Sequence, residues 1–305
     1  MARARRGDPV DGVLLLDKDS GMSSNAALQQ ARRLLQAAKA GHTGTLDPLA
    51  SGLLPIAFGE ATKFAADLLD ADKCYEATVR FGIVTRTGDA EGEVLTTLPV
   101  ALTQTQVEAA LARFVGPITQ VPPMYSALKR DGRPLYEYAR AGLHVERAPR
   151  QVTIHRLQLL SFDGTSARLI VECSKGTYVR VLAEDIGAEL GCGAHLASLR
   201  RTRVGMLTLQ GAVTLAQLQT LDLTERRALL QPADALLANL PPLQLDAQQA
   251  QRFRRGQRLP LARPTVRGRV KVIGPDARLL GVALVDARGV LAPQRVVTTR
   301  AGQEH

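Results

Sequence analysis

The fold of this 305-residue chain is decided by residues 41–63, GHTGTLDPLASGLLPIAFGEATK. Glycine and proline stand among polar side chains in the first half, which is typical of a shaped loop. The apolar run 52–58 predicts a short buried strand. Asp47 therefore lies on a stiff loop at the edge of a core strand, and Pro48 restricts its backbone to extended angles. An aspartate before proline commonly accepts hydrogen bonds in its own turn, but the nearby His42 imidazole and threonine hydroxyls favour a functional carboxylate.

Regular elements are predicted on both sides of this loop from the spacing of apolar residues. A helix over 26–40 follows polar capping residues, and a second helix over 177–191 begins at Thr177, a candidate N-cap. Residues 74–82 alternate as in a strand whose apolar face begins at Tyr75. The other predicted elements are strands at 12–18, 152–162 and 167–173 and helices at 105–115, 215–221 and 225–240.

Residues 41–63 closely resemble the signature of the TruB family of tRNA pseudouridine synthases, in which the aspartate of G-[HG]-x-G-x-L-D-P is catalytic. The resemblance implies that Asp47 is the nucleophile and that the chain isomerises uridine 55 in the T-loop of tRNA. It also implies an α+β catalytic domain over 1–240, with a mixed, largely antiparallel sheet flanked by helices. The short C-terminal part favours the bacterial stand-alone type over the guide-RNA-dependent relatives.

A second motif of the family, G-T-Y-[VI]-R, matches residues 176–180. An arginine in the first turn of a helix is unfavourable with respect to the helix dipole, so Arg180 needs a carboxylate partner, for which Asp47 is the candidate. Such a pair is expected to hold the pKa of Asp47 below its ordinary value. The resemblance implies the same pair and places Tyr178 near the substrate.

Three further residues are assigned to the substrate by the resemblance or by their surroundings. Periodicity alone favours a core role for Tyr75, whereas the family implies a catalytic tyrosine whose ring packs against the target base. His42 is implied to enter the RNA loop; the alternative is a hydrogen-bonded loop histidine. Leu199 is expected to form an apolar pocket wall, beside a basic edge made of Arg200, Arg201 and Arg203.

Residues 124–151 combine cations with three of the five tyrosines of the chain. This composition favours a nucleic-acid clamp, and a solvated helix-loop insertion is the alternative. The family carries an insertion here that grips the T-arm, so we name residues 124–151 the thumb. The predicted RNA-binding residues are Lys129 and Arg140 in the thumb and Lys18 and Lys63 outside it.

Residues 243–305 contain short apolar runs separated by glycine turns, which predicts a small β-barrel. The preceding Pro241-Pro242 marks the boundary. The pattern, with many basic residues and no acidic residue over 252–271, resembles a compact PUA-like RNA-binding domain.

The composition of the chain indicates which kind of partner it binds and in which compartment it is expected. A net charge of +10 indicates a polyanionic partner, in agreement with tRNA. Three cysteines without Cys-x-x-Cys spacing fit the reducing cytoplasm, and Cys192 with His195 is only half of a zinc site, so no metal is expected. The sequence shows neither an apolar run long enough to span a membrane nor a signal-peptide core. It has no motif for a nucleotide cofactor, so no cofactor is expected. A monomer is the default expectation.

Pseudouridine formation breaks a glycosidic bond, rotates the uracil and rejoins it through carbon, so it needs one well-placed carboxylate and no cofactor. Asp47 could add to the base, add to the sugar carbon or stabilise the developing charge. A non-catalytic tRNA-binding or folding protein is the alternative function. A hydrolase using Ser51 or His42 is disfavoured because no nucleophile elbow surrounds Ser51.

Overall fold

The computed structural model describes residues 7–126, 128–130, 132–143, 145–261 and 266–298. Its strands in the first 240 residues are β1 (Gly12–Lys18), β2 (Ala40–His42), β3 (Ser51–Phe58), β4 (Lys73–Phe81), β5 (Ile83–Thr85), β6 (Val94–Thr97), β7 (Gly116–Gln120), β8 (Lys129–Arg130), β9 (Arg133–Pro134), β10 (Arg150–Phe162), β11 (Ser166–Cys173), β12 (Ala194–Val204) and β13 (Leu207–Thr208). The later strands are β14 (Pro242–Gln244), β15 (Leu259–Pro260), β16 (Gly268–Ile273), β17 (Leu279–Val285) and β18 (Val290–Val296).

Eight α-helices accompany the strands in the described residues. They are α1 (Ser24–Leu34), α2 (Ala65–Leu69), α3 (Gln104–Ala112), α4 (Leu135–Arg140), α5 (Val179–Glu189), α6 (Leu215–Thr220), α7 (Leu223–Ala228) and α8 (Ala247–Arg254). Two 3₁₀ helices occupy Gly59–Phe64 and Ala233–Leu237.

A nine-stranded sheet forms the centre of the molecule, with the order β1-β3-β12-β4-β11-β10-β7 and with β2 and β13 attached to β3 and β12. Every pairing within this sheet is antiparallel except the short parallel contact of β12 with β3. The predicted α+β fold with a mixed, largely antiparallel sheet is therefore confirmed.

Both faces of strands β1 and β3 are buried, which explains their continuous apolar sequences. Leu14 and Leu16 belong to the core cluster under α1, whereas Val13 and Leu15 belong to a second cluster on the opposite face. Because successive side chains of a strand point to opposite faces, one strand supplies both cores.

Three predicted helix boundaries are wrong. The helix predicted over 26–40 ends at Leu34, and Gln36 then adopts a left-handed backbone with φ 53°. The helix predicted over 225–240 stops at Ala228, since Pro232 cannot continue it and only a 3₁₀ turn follows. Thr177 does not cap α5; its hydroxyl donates to the Ser174 carbonyl, and Tyr178 occupies the N-cap position.

The C-terminal strands form a separate sheet of five strands in the order β14-β16-β17-β18-β15. This curled sheet is a half-barrel, so the predicted small β-domain has an open form. Val282 of β17 packs into the second core cluster of the large sheet, and an ion pair of 2.6 Å joins Arg269 to Asp67. The predicted divisions at 1–240 and 243–305 and the likeness to a PUA domain stay predictions.

The thumb folds as a two-stranded hairpin, β8 and β9, followed by α4. Ala127, Asp131 and His144 of the thumb lie outside the described residues. Among the described residues, no helix has both the length and the apolar composition to cross a membrane.

Candidate active site

Asp47 lies on the loop between β2 and β3, and residues before and within α1 hold this loop in place. The Ser24 hydroxyl donates to the Leu46 carbonyl over 2.9 Å and accepts from the Leu46 amide over 2.7 Å. The Gly21 amide donates to the Pro48 carbonyl over 2.8 Å. The loop is therefore anchored on both sides of Asp47, which supports the predicted stiff loop.

Arg180 in the first turn of α5 reaches Asp47, as its position in the helix predicts. Its Nη2 lies 3.0 Å from Asp47 Oδ2. The Arg180 side chain is 5% exposed whereas the Asp47 side chain is 40% exposed, so the carboxylate alone faces solvent space. Arg180 also donates to the carbonyls of Thr87 and Tyr125. A guanidinium with these fixed partners holds the carboxylate in one orientation.

Asp89 is a second, buried carboxylate beside the pair. Its Oδ2 lies 3.6 Å from Arg180 Nε, while its Oδ1 accepts from the Thr87 hydroxyl and the Glu91 amide. From the sequence alone, the turn-rich segment after β5 indicates only a surface or RNA-facing position for Asp89. Its burial at 4% and its contact with Arg180 place it in the site.

The prediction that Arg180 lowers the pKa of Asp47 is wrong in its net direction. Although 40% of the Asp47 side chain is exposed, the walls of the cleft remove part of its hydration, and this desolvation raises the pKa of the carboxyl above its ordinary value. The attraction of Arg180 offsets the rise only in part. The negative charge of Asp89 adds to the upward shift.

Two cavities meet at Asp47 and Arg180, which line both of them. The deep cavity has a volume of about 200 Å³ and is also lined by Tyr75, Tyr178 and Leu199. The wide cavity has a volume of about 520 Å³. Its further lining residues include His42, Asn25, Glu91, Tyr136 and Arg140. The predicted catalytic and substrate-binding residues are thus brought together around Asp47.

The two tyrosines of the deep cavity are held by burial and by the backbone. Tyr75 is 9% exposed, and burial raises the pKa of its hydroxyl to about 12. Burial also raises the pKa of Tyr178. The buried Gln120 amide group donates to the Tyr178 carbonyl and accepts from the Tyr178 amide, over 3.2 and 3.0 Å. Gln120 has no motif of its own, so the sequence did not indicate this role.

His42 lines the wide cavity from β2. Burial and the positive charge of Arg201 lower the pKa of its imidazole, which favours the neutral form. Its buried Nδ1 has no hydrogen-bond partner among the described residues. The alternative of a hydrogen-bonded loop histidine is therefore not supported at this nitrogen.

The predicted basic edge on β12 is wrong in part. Arg201 is buried at 1% and lines the deep cavity. Arg200 makes a bidentate pair with Asp17, and Arg203 pairs with Glu172. These three guanidinium groups are committed to protein partners instead of forming a free cationic rim.

The predicted RNA-binding residues fall into two groups. Lys129 is exposed in the thumb, and Arg140 lies over the Tyr136 ring at 5.4 Å beside the wide cavity. Lys18, in contrast, is fully buried and donates to the carbonyls of Asp19 and Met22. This finding is against direct RNA contact by Lys18, and burial lowers the pKa of Lys18 to about 8.

Lys63 also has protein partners. Its ammonium group contacts Glu60 at 2.6 Å, the Val296 carbonyl at 3.0 Å and the Thr298 hydroxyl at 2.9 Å. It therefore joins the segment after β3 to the end of the C-terminal sheet. Its role in binding RNA stays a prediction. The described residues contain no group of three or more His, Cys, Asp or Glu side chains arranged to hold a metal ion.

Comparison with known proteins agrees with this geometry. Residues 32–179 match the model of the TruB family pseudouridylate synthase N-terminal domain. Residues 180–238 match the tRNA pseudouridylate synthase B C-terminal domain, and 241–297 match the model described as pseudouridine synthase II TruB, C-terminal. The chain belongs to the TruB family.

Curated relatives extend this match over nearly the whole chain. tRNA pseudouridine synthase B of Burkholderia mallei (strain NCTC 10247) is 63% identical over 96% of this chain and 98% of its own length. The protein of the same name from Aromatoleum aromaticum (strain DSM 19018 / LMG 30748 / EbN1) is 59% identical over 96% of this chain and 94% of its own length.

The fold also matches solved structures. A chain of the Cbf5-Nop10-Gar1 complex superposes with a TM-score of 0.73 at 24% identity, covering 95% of this chain and 85% of that chain. At this identity the likeness concerns the fold alone.

Proposed function

We propose that this TruB-family protein converts the uridine at position 55 of the tRNA T-loop into pseudouridine, with Asp47 as the reacting carboxylate. The family and its curated tRNA pseudouridine synthase B relatives make the protein an enzyme that isomerises uridine in tRNA. One observation supports the assignment to Asp47: it is the exposed member of a carboxylate–guanidinium pair, and it stands where the two cavities meet.

The reaction is an isomerisation, so its atoms and electrons balance without a second reactant. The bond from the sugar carbon to the ring nitrogen breaks, the uracil rotates, and a carbon–carbon bond forms. The proton on that ring carbon is lost, and the ring nitrogen gains one. The carboxylate of Asp47 can act by adding to the substrate or by stabilising charge on the sugar. Both routes need an ionised carboxylate held by Arg180 where the two cavities meet.

The deep cavity suits a flipped base. Extruding a base from a folded loop costs a few kcal/mol. A ring contact from Tyr75 contributes about 1–3 kcal/mol and offsets much of this. Leu199 adds an apolar wall, and Tyr178 also lines this cavity. The adjoining wide cavity, with His42 on its wall, leaves room for neighbouring nucleotides.

Binding of the T-arm is assigned to the thumb and to the net positive charge of the chain. Lys129 and Arg140 provide cations, and the thumb tyrosines provide rings. The C-terminal sheet is proposed to add RNA contacts, and the enzyme is proposed to act as a cytoplasmic monomer without a metal or a cofactor.

One incubation separates this proposal from a tRNA-binding or folding protein. Purified protein and an unmodified tRNA transcript are incubated, and pseudouridine is mapped by carbodiimide labelling and mass spectrometry. We expect conversion at position 55 only, and no product from a transcript carrying cytidine there. Binding without conversion would favour the alternative, and conversion elsewhere would overturn the assignment of position 55.

A further inference from the structure

Arg201 is a buried cation with no carboxylate partner in the part of the chain that the structure describes. Its side chain is among the largest fully buried ones, and none of the ion pairs among the described residues includes it. Burying a charge is unfavourable unless hydrogen bonds replace its hydration. A buried arginine at this position therefore calls for a role that apolar residues cannot fill.

The hydrogen bonds of Arg201 go to the two ends of the loop that carries Asp47. Its Nε donates to the Leu53 carbonyl over 2.8 Å, and its Nη2 donates to the Gly44 carbonyl over 3.2 Å. Gly44 precedes Asp47 by three residues, and Leu53 lies in the first half of β3, six residues after Asp47. One guanidinium thus closes the base of the loop, which we define as residues 44–53.

The backbone of Arg201 is also fixed between two strands of the site. It pairs with Gly52 of β3 on one side and with Tyr75 of β4 on the other. Gly52 has φ 97°, and a Cβ atom there would lie 2.3 Å from the Arg201 carbonyl oxygen, so only glycine permits this approach. The same β12 residue is thereby placed beside the Asp47 loop and beside Tyr75.

We propose that Arg201 is a positioning residue that holds the loop 44–53 and Tyr75 in fixed relation across the deep cavity. The inference rests on the proposed role of Asp47 as the reacting carboxylate. Arginine suits this task because its planar group carries several donors in a rigid fork, whereas the single ammonium group of lysine cannot reach both carbonyls with the same geometry. Arg201 acts through Asp47 and Tyr75 and need not touch the reacting atoms.

The test compares Arg201→Gln and Arg201→Lys with the matched control Arg226→Gln. The Arg226 guanidinium also donates to backbone carbonyls, those of Leu218 and Leu34, but it lines neither cavity. Three quantities are measured for each variant: the single-turnover rate with saturating enzyme, the Kd for tRNA, and amide hydrogen exchange by mass spectrometry.

For Arg201→Gln we expect the single-turnover rate to fall by about 100-fold, the effect of a misplacement of about 1 Å. The Kd for tRNA should change by less than about twofold, because phosphate contacts dominate binding. Exchange should accelerate in peptides covering 44–50 and stay unchanged in β4 and β11. Arg226→Gln should match the parent in all three measurements.

A parent-like rate, or parent-like exchange in 44–50, would overturn the proposal. Faster exchange throughout the central sheet together with a lower Tm would also overturn it, in favour of general packing. If Arg201→Gln does not fold, Arg201→Lys decides by the same criteria, with a smaller expected loss of rate. Hydrogen exchange reports on the loop whether or not Asp47 is the reacting group. If Asp47 is not the reacting group, the Asp47→Asn enzyme will be active, and this result is separate from the exchange result.

Discussion

The cleft around Asp47 and the thumb hold their charges in different ways. In the cleft, Arg180 and Asp89 are 5% exposed and bonded to each other or to backbone groups. In the thumb, Lys129 and Arg140 are both exposed, and Arg140 lies over the Tyr136 ring. Buried, paired charges act strongly at a fixed distance, whereas exposed charges are screened and adapt to a partner. The comparison predicts that changes in the cleft affect the rate and that changes in the thumb affect affinity.

The largest expected effect is that of Asp47→Asn. An amide cannot replace the negative charge or the nucleophile, so turnover should be abolished, while the Kd for tRNA should stay within about twofold. The measurement is pseudouridine by mass spectrometry together with filter binding. The matched control is Asp17→Asn, which removes a carboxylate from a comparable pair with Arg200 outside both cavities. Substantial product from Asp47→Asn would contradict the assignment.

Arg180→Lys should lower the single-turnover rate by about 100-fold. An ammonium group keeps the charge but cannot bind Asp47 and the two carbonyls at once, so the carboxylate loses its orientation. The Kd should change little. Arg227→Lys is the control. Arg227 also pairs with an aspartate, Asp8, but neither residue lines the two cavities. A normal rate for Arg180→Lys would remove Arg180 from the site.

In the thumb, Lys129→Gln combined with Arg140→Gln should weaken tRNA binding by about 10-fold and leave the rate at saturating enzyme nearly unchanged. Each phosphate contact that is lost should reduce the slope of log K against log salt by about 1. Binding titrations at several salt concentrations test this. An unchanged salt slope would mean that these cations do not face phosphates, and the contrast between the two regions would fail.

Much of the cleft could be predicted because its residues carry local signals. The loop around Asp47, the strand after it and the pairing with Arg180 follow from glycine and proline placement, apolar runs and the helix dipole. These signals lie within a few residues of the group they concern. The thumb carries a local signal of the same kind, since its cations and tyrosines are neighbours in sequence, and its role in binding RNA stays a prediction.

What could not be predicted depends on contacts between distant parts of the chain. Arg201 lies 157 residues from Gly44, and its neighbours Arg200 and Arg203 make the segment resemble an exposed basic edge. Gln120 and Tyr178 are 58 residues apart. The direction of the Asp47 pKa shift also depends on burial, which is a property of the assembled cleft and not of the ion pair alone.

The smallest expected effect concerns the pH dependence of the rate. The reaction needs ionised Asp47, so the rate falls as the pH drops through the pKa of this carboxyl. Asp89 raises that pKa, because a nearby negative charge disfavours ionisation of Asp47. The variant Asp89→Asn removes this negative charge. It also removes the carboxylate that competes with Asp47 for Arg180, and each of these changes lowers the pKa of Asp47.

The acid limb of the single-turnover pH profile of Asp89→Asn should therefore move to lower pH, whatever the change in the maximal rate. Asp70→Asn, at an exposed pair with Lys175, should leave the limb in place. A limb that moves to higher pH would show that the charge of Asp89 does not act on Asp47 in the way the cleft geometry requires.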